Sequence, residues 1–295
     1  MKTRLAYQKL GKVRFLGHLD MARLWERGLR KARLPVAMSA GFTPRPKVSF
    51  GLALPTGAES VIELLDVTFD PGPDGDLDPS ALPALLSAAL PLGVDVIDAD
   101  PIAPTAWSLQ EDVTATTWVM AVDAPELDLD ERVADVLAAP EIWVERERKG
   151  VRRRDDVRPG IIDLRVTDVT DWAATGRSEI PDSWISGLDG SGSRLRLVEA
   201  TLTTSGRGVR PTEMAEVLRP GEDPWVTMPR VIRTHQWIGR DDAPRVSARA
   251  GKDTSHERRP EHPLVGREPE SRERESRERE SREPRHHEPR HHESV

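Results

Sequence analysis

The chain has 295 residues, 37% hydrophobic and 32% charged, with a formal net charge of −7 at pH 7 and no cysteine. That length suits one large domain or two of ordinary size. The missing thiols exclude a disulfide framework, a thiolate zinc site and a cysteine-held iron–sulfur cluster within these residues.

The opening MKTRLAYQKLGKVRF lacks the apolar run of a signal peptide. The most apolar window, Ala81 to Val94, contains Pro83 and Pro91 and is too short to span a bilayer. No membrane contact is predicted, and the expected location is the cytoplasm.

In chain order, Thr3–Lys9 reads as a strand. Leu19–Leu34 reads as a helix, because Met21, Leu24, Trp25, Gly28, Leu29 and Ala32 recur at helical spacing. Pro35 closes it by pushing the preceding residue out of helical angles. Val36–Ser39 and Lys47–Leu54 read as strands around the loop GFTPRP. Val61–Phe69 alternates as a strand, Asp78 or Ser80 caps a second helix to about Leu90, and Gly93–Ile97 returns as a strand.

A similar order follows. Thr114–Val122 is strand-like, Asp128–Ala139 helical, and Glu141–Glu147 and Ile161–Val166 strand-like. Residues 175–193 read as a linker or long loop. Arg194–Thr203 is a strand, Pro211–Leu218 a helix with proline in its first turn, and Trp225–Trp237 a closing segment.

Strand–helix–strand repeated with hairpins is the rhythm of a split β-α-β unit. The expected fold class is α+β: two ferredoxin-like units, residues 1–104 and 105–240, and a disordered charged tail, residues 241–295. The tail, with SRERESRERESRE and PRHHEPRHHE, lacks apolar residues to offset ordering entropy. Its histidines 286, 287, 291 and 292 offer incidental metal affinity; no dedicated metal site is predicted.

Charge is unevenly placed. Residues 1–50 hold twelve Lys or Arg and two acids, whereas residues 51–140 hold one Arg and eighteen acids. On a helical wheel Arg23, Arg27 and Arg30 oppose the apolar face, with Lys31 at its edge. Lys12, Arg14 and His18 precede the helix, and Arg45 and Lys47 follow in GFTPRPK. A basic head with so little acid nearby predicts a polyanionic partner, RNA above others. An acidic protein partner and a plain solvated face are the alternatives.

A second basic run, Arg146–Gly160, places Arg152, Arg153 and Arg154 near Gly150, as at a hairpin tip. Asp155 and Asp156 offer the competing reading of a self-paired turn. Phe15, Trp25, Phe42 and Phe50 lie near the cations and are assigned to the core. A basic platform with few exposed aromatics favours a structured RNA read by backbone and shape.

No Walker loop, HExxH helix or nucleophile elbow is present. His18 and His235 are the histidines of the first 240 residues. His18 is the one candidate general base, acting on a ribose 2′-OH with Lys12 or Arg14 stabilising charge; a structural histidine is the competing reading. His235 reads as part of a strand.

The stretch RLAYQKLGKVRFLGHLDMARLWERGLRKARLPVAMSAGFTPRPKVSFGLALPTGAESVIELLDVTF resembles the start of the radical SAM-linked (radical SAM-associated) proteins. The likeness is specific over about residues 2–70 and continues loosely in GIIDLR, SGRGVRPTEM and VIRTHQ. The resemblance implies a companion of a B12-binding-type radical SAM protein, fused or encoded nearby, often close to ribonuclease E/G genes. It also implies a fold similar to the ferredoxin-like repeats of CRISPR-associated RNA-binding and repeat-processing proteins, hence RNA contact and, by analogy, an endoribonuclease role. The Gly-rich C-terminal loop of that model is short here, and no catalytic residue carries over.

A radical SAM enzyme needs cysteines for its cluster, and this sequence has none. The expectation is a cofactor-free RNA-binding accessory subunit serving a separate radical SAM protein, with the acidic stretch 51–140 offered to that enzyme or simply solubilising. A metal-independent endoribonuclease using His18 and a protein-binding scaffold are the alternatives.

Overall fold

The computed structural model describes residues 1–70, 77–123, 125–148, 150–169, 172, 180–186, 188, 195–239 and 246–247. The predicted disordered tail lies outside the described residues, apart from Val246–Ser247. The described residues form one compact unit.

The molecule is α+β. In chain order it contains β1 (Lys2–Lys9), α1 (His18–Lys31), β2 (Val48–Phe50), β3 (Glu59–Thr68), α2 (Leu82–Ala89) and β4 (Val94–Ile102). Then come α3 (Leu109–Asp112), β5 (Val113–Val122), α4 (Leu129–Ala138), β6 (Trp143–Arg148), β7 (Val151–Asp156) and β8 (Ile161–Asp168). The series ends with α5 (Asp182–Ser186), β9 (Arg196–Thr203), α6 (Pro211–Leu218), α7 (Pro224–Thr227), β10 (Arg230–Ile238) and β11 (Val246–Ser247).

One mixed sheet runs β4-β1-β3-β10-β5-β9-β8, with β2 paired to β3 and β11 to β10. Neighbours are antiparallel except β3 and β10, which pair in parallel through Ile232–Glu59 and Arg233–Ser60. β2 pairs with the other end of the same β3 edge, at Leu65–Val67. The strand order therefore occurs twice: β4-β1-β3-β2 and β10-β5-β9-β8, each half placing its fourth, first, third and second strand side by side. The β6–β7 hairpin is inserted between α4 and β8 as a separate two-stranded ribbon.

Apolar periodicity explains the layers. α1 turns Met21, Leu24, Trp25 and Leu29 onto Leu5, Tyr7, Leu65 and Val67 of the sheet, where burial contributes about 1.5–3 kcal/mol per large apolar side chain. Helices α4 and α6 cover the second half through Leu129, Val133, Met214 and Leu218. On the opposite face, Ala6, Ile62, Val119 and Ile232 pack with Ile180, Trp184 and Leu188.

That last group corrects the linker reading of residues 175–193: its described part carries α5 and a fully buried Trp184. The strand expected at Val36–Ser39 is reduced to isolated bridges, Val36–Phe69 and Met38–Pro46. Pro46, lacking an N–H, limits pairing there, and the next strand is only Val48–Phe50.

Helix α1 ends at Lys31, before Pro35, through a Schellman closure. Leu34 N–H reaches Leu29 O at 3.3 Å and Arg33 N–H reaches Arg30 O at 3.1 Å, with Arg33 at φ 55°. Among the described residues no helix is long and apolar enough to cross a membrane.

Candidate nucleic-acid interface

The cations of the head occupy three places. Lys12 and Arg14 lie on a short 3₁₀ turn, Gly11–Phe15, just after β1. Arg23, Arg27 and Arg30 form an exposed stripe on α1. Arg45 and Lys47 are exposed on the loop into β2, where the Lys47 backbone pairs with Ala37 and Thr68. Thr68 pairs with Lys2 at the start of β1, so Lys47 and Lys12 stand at opposite ends of a strand roughly 26 Å long. The side chains form a band along α1 rather than one compact cluster.

Acids seldom reach that band. Arg23 has Asp20 at 3.6 Å, both well exposed. Among the described residues Arg27, Arg30, Lys12, Arg45 and Lys47 have no ion-pair partner. Lys31 donates to the carbonyls of Ala88 and Ala89 at 3.5 and 3.4 Å, complementing the negative end of α2. Arg14 is the most compromised: its guanidinium lies 3.8 Å from Glu59 and 4.6 Å from the Phe15 ring centre.

His18 is the first residue of α1, exposed, with its ring edge-on to Phe50 at 5.3 Å. It lines a narrow cleft with Tyr7, Lys9, Glu63 and residues 50–54. Among the described residues no carboxylate hydrogen-bonds its imidazole. His235 is a buried member of β10, stacked on Trp237 at 5.2 Å.

The cleft floor is a charged network that local patterning does not reveal. Glu63 receives Arg233 through Nη2 at 2.6 Å and Nε at 3.1 Å, and Arg233 also lies 5.0 Å from the Trp118 ring centre. Glu59 receives Arg230 at 2.7 Å and the Gly11 N–H at 2.7 Å. Lys9, only 2% exposed, donates to Leu16 O at 2.8 Å. Burial pushes its ammonium below the usual lysine range, with Glu63 opposing and Arg233 adding to the shift. Burial and then Glu63 push the Tyr7 phenol well above its usual range. The available signal was the acids inside ESVIELLDVTF and the arginines inside RVIRTHQW, charges interrupting otherwise apolar strands.

The Arg152–Arg154 triplet lies on β7, with Gly150 at φ 75° in the turn. Arg152 and Arg153 are exposed, and Arg154 sits 5.2 Å from the Trp143 ring centre. Asp155 and Asp156 do not neutralise the triplet. Asp155 pairs with Arg146 at 2.7 Å and Arg207 at 3.2 Å; Asp156 accepts the N–H groups of Ile142 and Arg158.

The aromatic residues need correction. Trp25 is core, but Phe15 and Phe42 are exposed, and Trp107, Trp143 and Trp225 add further exposed ring surface. Tertiary packing, not local periodicity, decides which rings the sheet covers.

Fold and surface together define an α+β protein with a double strand–helix repeat and a cationic helix face. The chain belongs to the family described as uncharacterized protein conserved in bacteria (DUF2344), whose model matches residues 2–211. Among solved structures it is similar to a chain of a Cbf5-Nop10-Gar1 complex, at 10% identity and a TM-score of 0.38, covering 79% of this chain and 48% of that one. The chain thus spans about half the length of that structural relative. No curated protein matches the chain.

Proposed function

We propose that this protein is an RNA-binding accessory subunit, built from two ferredoxin-like units, residues 1–104 and 105–240, and working beside a radical SAM enzyme carried on another polypeptide. The observation that carries the RNA reading is the exposed Arg23–Arg27–Arg30 stripe, in which Arg27 and Arg30 have no described acidic partner. Unneutralised cations along a rigid helix suit a run of phosphates. The Arg152–Arg153 ribbon supplies a second surface of the same kind. The radical SAM partner rests on the sequence resemblance and on the absence of cysteine, which leaves this chain without thiolates for a cluster.

The test is binding of a labelled structured RNA across a salt series, with and without chelator. Binding that weakens steeply with salt, without cleavage, supports the reading; affinity indifferent to salt overturns it. Recovery of a cluster-bearing protein in a pull-down from cells tests the partner.

A second reading is favoured by the placement of His18 at the mouth of a cleft lined by Lys9 and Tyr7: metal-independent RNA cleavage. Cleavage that disappears in His18→Ala while binding persists would select it.

A further inference from the structure

We infer that Phe15 and Trp225, joined through Arg14, form a stacking site for an unpaired RNA base at the N-terminal end of the cationic helix. The inference rests on the RNA-binding reading and specifies the form of RNA held.

The site is assembled from both halves of the sheet. Phe15 ends the 3₁₀ turn after β1 and is 61% exposed. Trp225 lies on the four-residue α7 just before β10 and is 37% exposed. Three contacts through two residues link the rings: the Arg14 guanidinium covers part of the Phe15 ring, the Arg14 carbonyl accepts the Gly57 N–H at 2.9 Å, and the Trp225 ring lies against Gly57. A Cβ on Gly57 would sit 3.1 Å from that ring, and φ there is +94°, so a residue without a side chain brings the indole close to the backbone.

Phe15 lies beside the Arg14 guanidinium and Trp225 beside Asp223, whose carboxylate accepts its backbone N–H at 2.8 Å, so a flat occupant with one anionic end would set that end on the Phe15 side. The local charge favours a nucleotide. Glu59 is the carboxylate within reach of Arg14, and it is shared with Arg230 and the Gly11 N–H. Lys12 stands exposed on the same turn, and His18 begins α1 three residues beyond Phe15. A base on the Phe15 side would leave its phosphate near Lys12 and the start of α1, with the chain free to continue along Arg23, Arg27 and Arg30. A paired base is already stacked within its helix and cannot offer its face without being pulled out.

The experiment compares two labelled RNAs, a stem-loop with a short unpaired 3′ extension and the same stem closed without it. Phe15→Ser and Trp225→Ser are each expected to weaken binding of the extended RNA on the order of ten-fold while changing the closed stem by less than about two-fold. Phe15→Tyr, which keeps a ring, is expected to retain affinity, separating stacking from disturbance of the turn. Equal loss on both RNAs, or no loss on the extended one, overturns the inference. If Arg27→Glu with Arg30→Glu still weakens both RNAs in that case, the RNA-binding reading survives alone. If the wild-type protein binds neither RNA, both fall. Loss of a captured protein rather than of RNA in Phe15→Ser assigns the rings to a protein interface and also overturns it.

Discussion

Arg233 of β10 and Glu63 of β3, 170 residues apart, form an ion pair at the seam of the sheet, 1% and 7% exposed at their side chains. The β1–β3 register shifts beside the acid, between Tyr7–Glu63 and Lys9–Ser60, next to the short parallel junction of β3 with β10 at Glu59 and Ser60.

Removing one partner strands the other charge away from water. Glu63→Gln and Arg233→Met are each expected to cost about 3–5 kcal/mol, and the same two substitutions combined less than the two single losses added. Urea denaturation of the four proteins checks this, and near-additivity would show that the pair is not coupled.

The α1 stripe is expected to act on RNA without supporting the fold. Arg27→Glu with Arg30→Glu should cost no more than about 1–2 kcal/mol, mostly from an acid in the last turn of α1. It should also flatten the plot of log affinity against log salt by roughly 0.9 for each duplex phosphate that is no longer neutralised. An unchanged slope would remove those two side chains from the interface.

Lys9 predicts a pH effect of definite sign. Its folded-state pKa is lowered by burial, so between that value and the ordinary lysine value the unfolded chain holds more protons, and stability rises with pH across the window. Tyr7 is shifted upward. It therefore loses stability above the ordinary tyrosine pKa, where the unfolded phenol ionises first and the folded one stays protonated. The stability of the wild-type protein relative to Lys9→Met should improve as pH climbs from neutral toward alkaline values, since Tyr7 is common to both proteins. Paired denaturation curves read the difference, and a gap constant with pH would contradict the assignment to Lys9.

Arg33 occupies the left-handed position at the end of α1, where glycine carries no side-chain penalty. Arg33→Gly is expected to stabilise the protein by up to ~1 kcal/mol, since a Cβ there is unfavourable. A thermal melt suffices, and a lowered Tm would mean that the Arg33 side chain contributes more than its backbone strain costs.

Much of the fold was legible because its signals are local. The apolar face of α1, the Asp78 cap on the 3₁₀ turn Pro79–Ala81 that leads into α2, and the proline opening α6 all act within a turn or two. The recurrence of strand–helix–strand was readable from the same patterning, but the order of the strands in the sheet was not. Local patterning could not show that β3 receives β10 in parallel, that α5 brings Trp184 under the sheet, or that a stretch resembling a linker is partly core. The cationic stripe was readable as a helical period. The exposure of Phe15 and the contact of Trp225 with Gly57 were not, because tertiary packing sets both, and an apolar ring beside cations reads as core from the sequence.

The seam also imposes an order on biosynthesis. The ribosome delivers Glu63 long before Arg233, and at ~5–20 residues per second the intervening 170 residues take roughly 10–30 s. Throughout that interval the nascent N-terminal half carries a bare strand margin at Glu59–Ser60 and an acid awaiting its counter-ion. That interval is when a chaperone is most needed, and a message truncated before β10 yields a chain whose open margin is never closed.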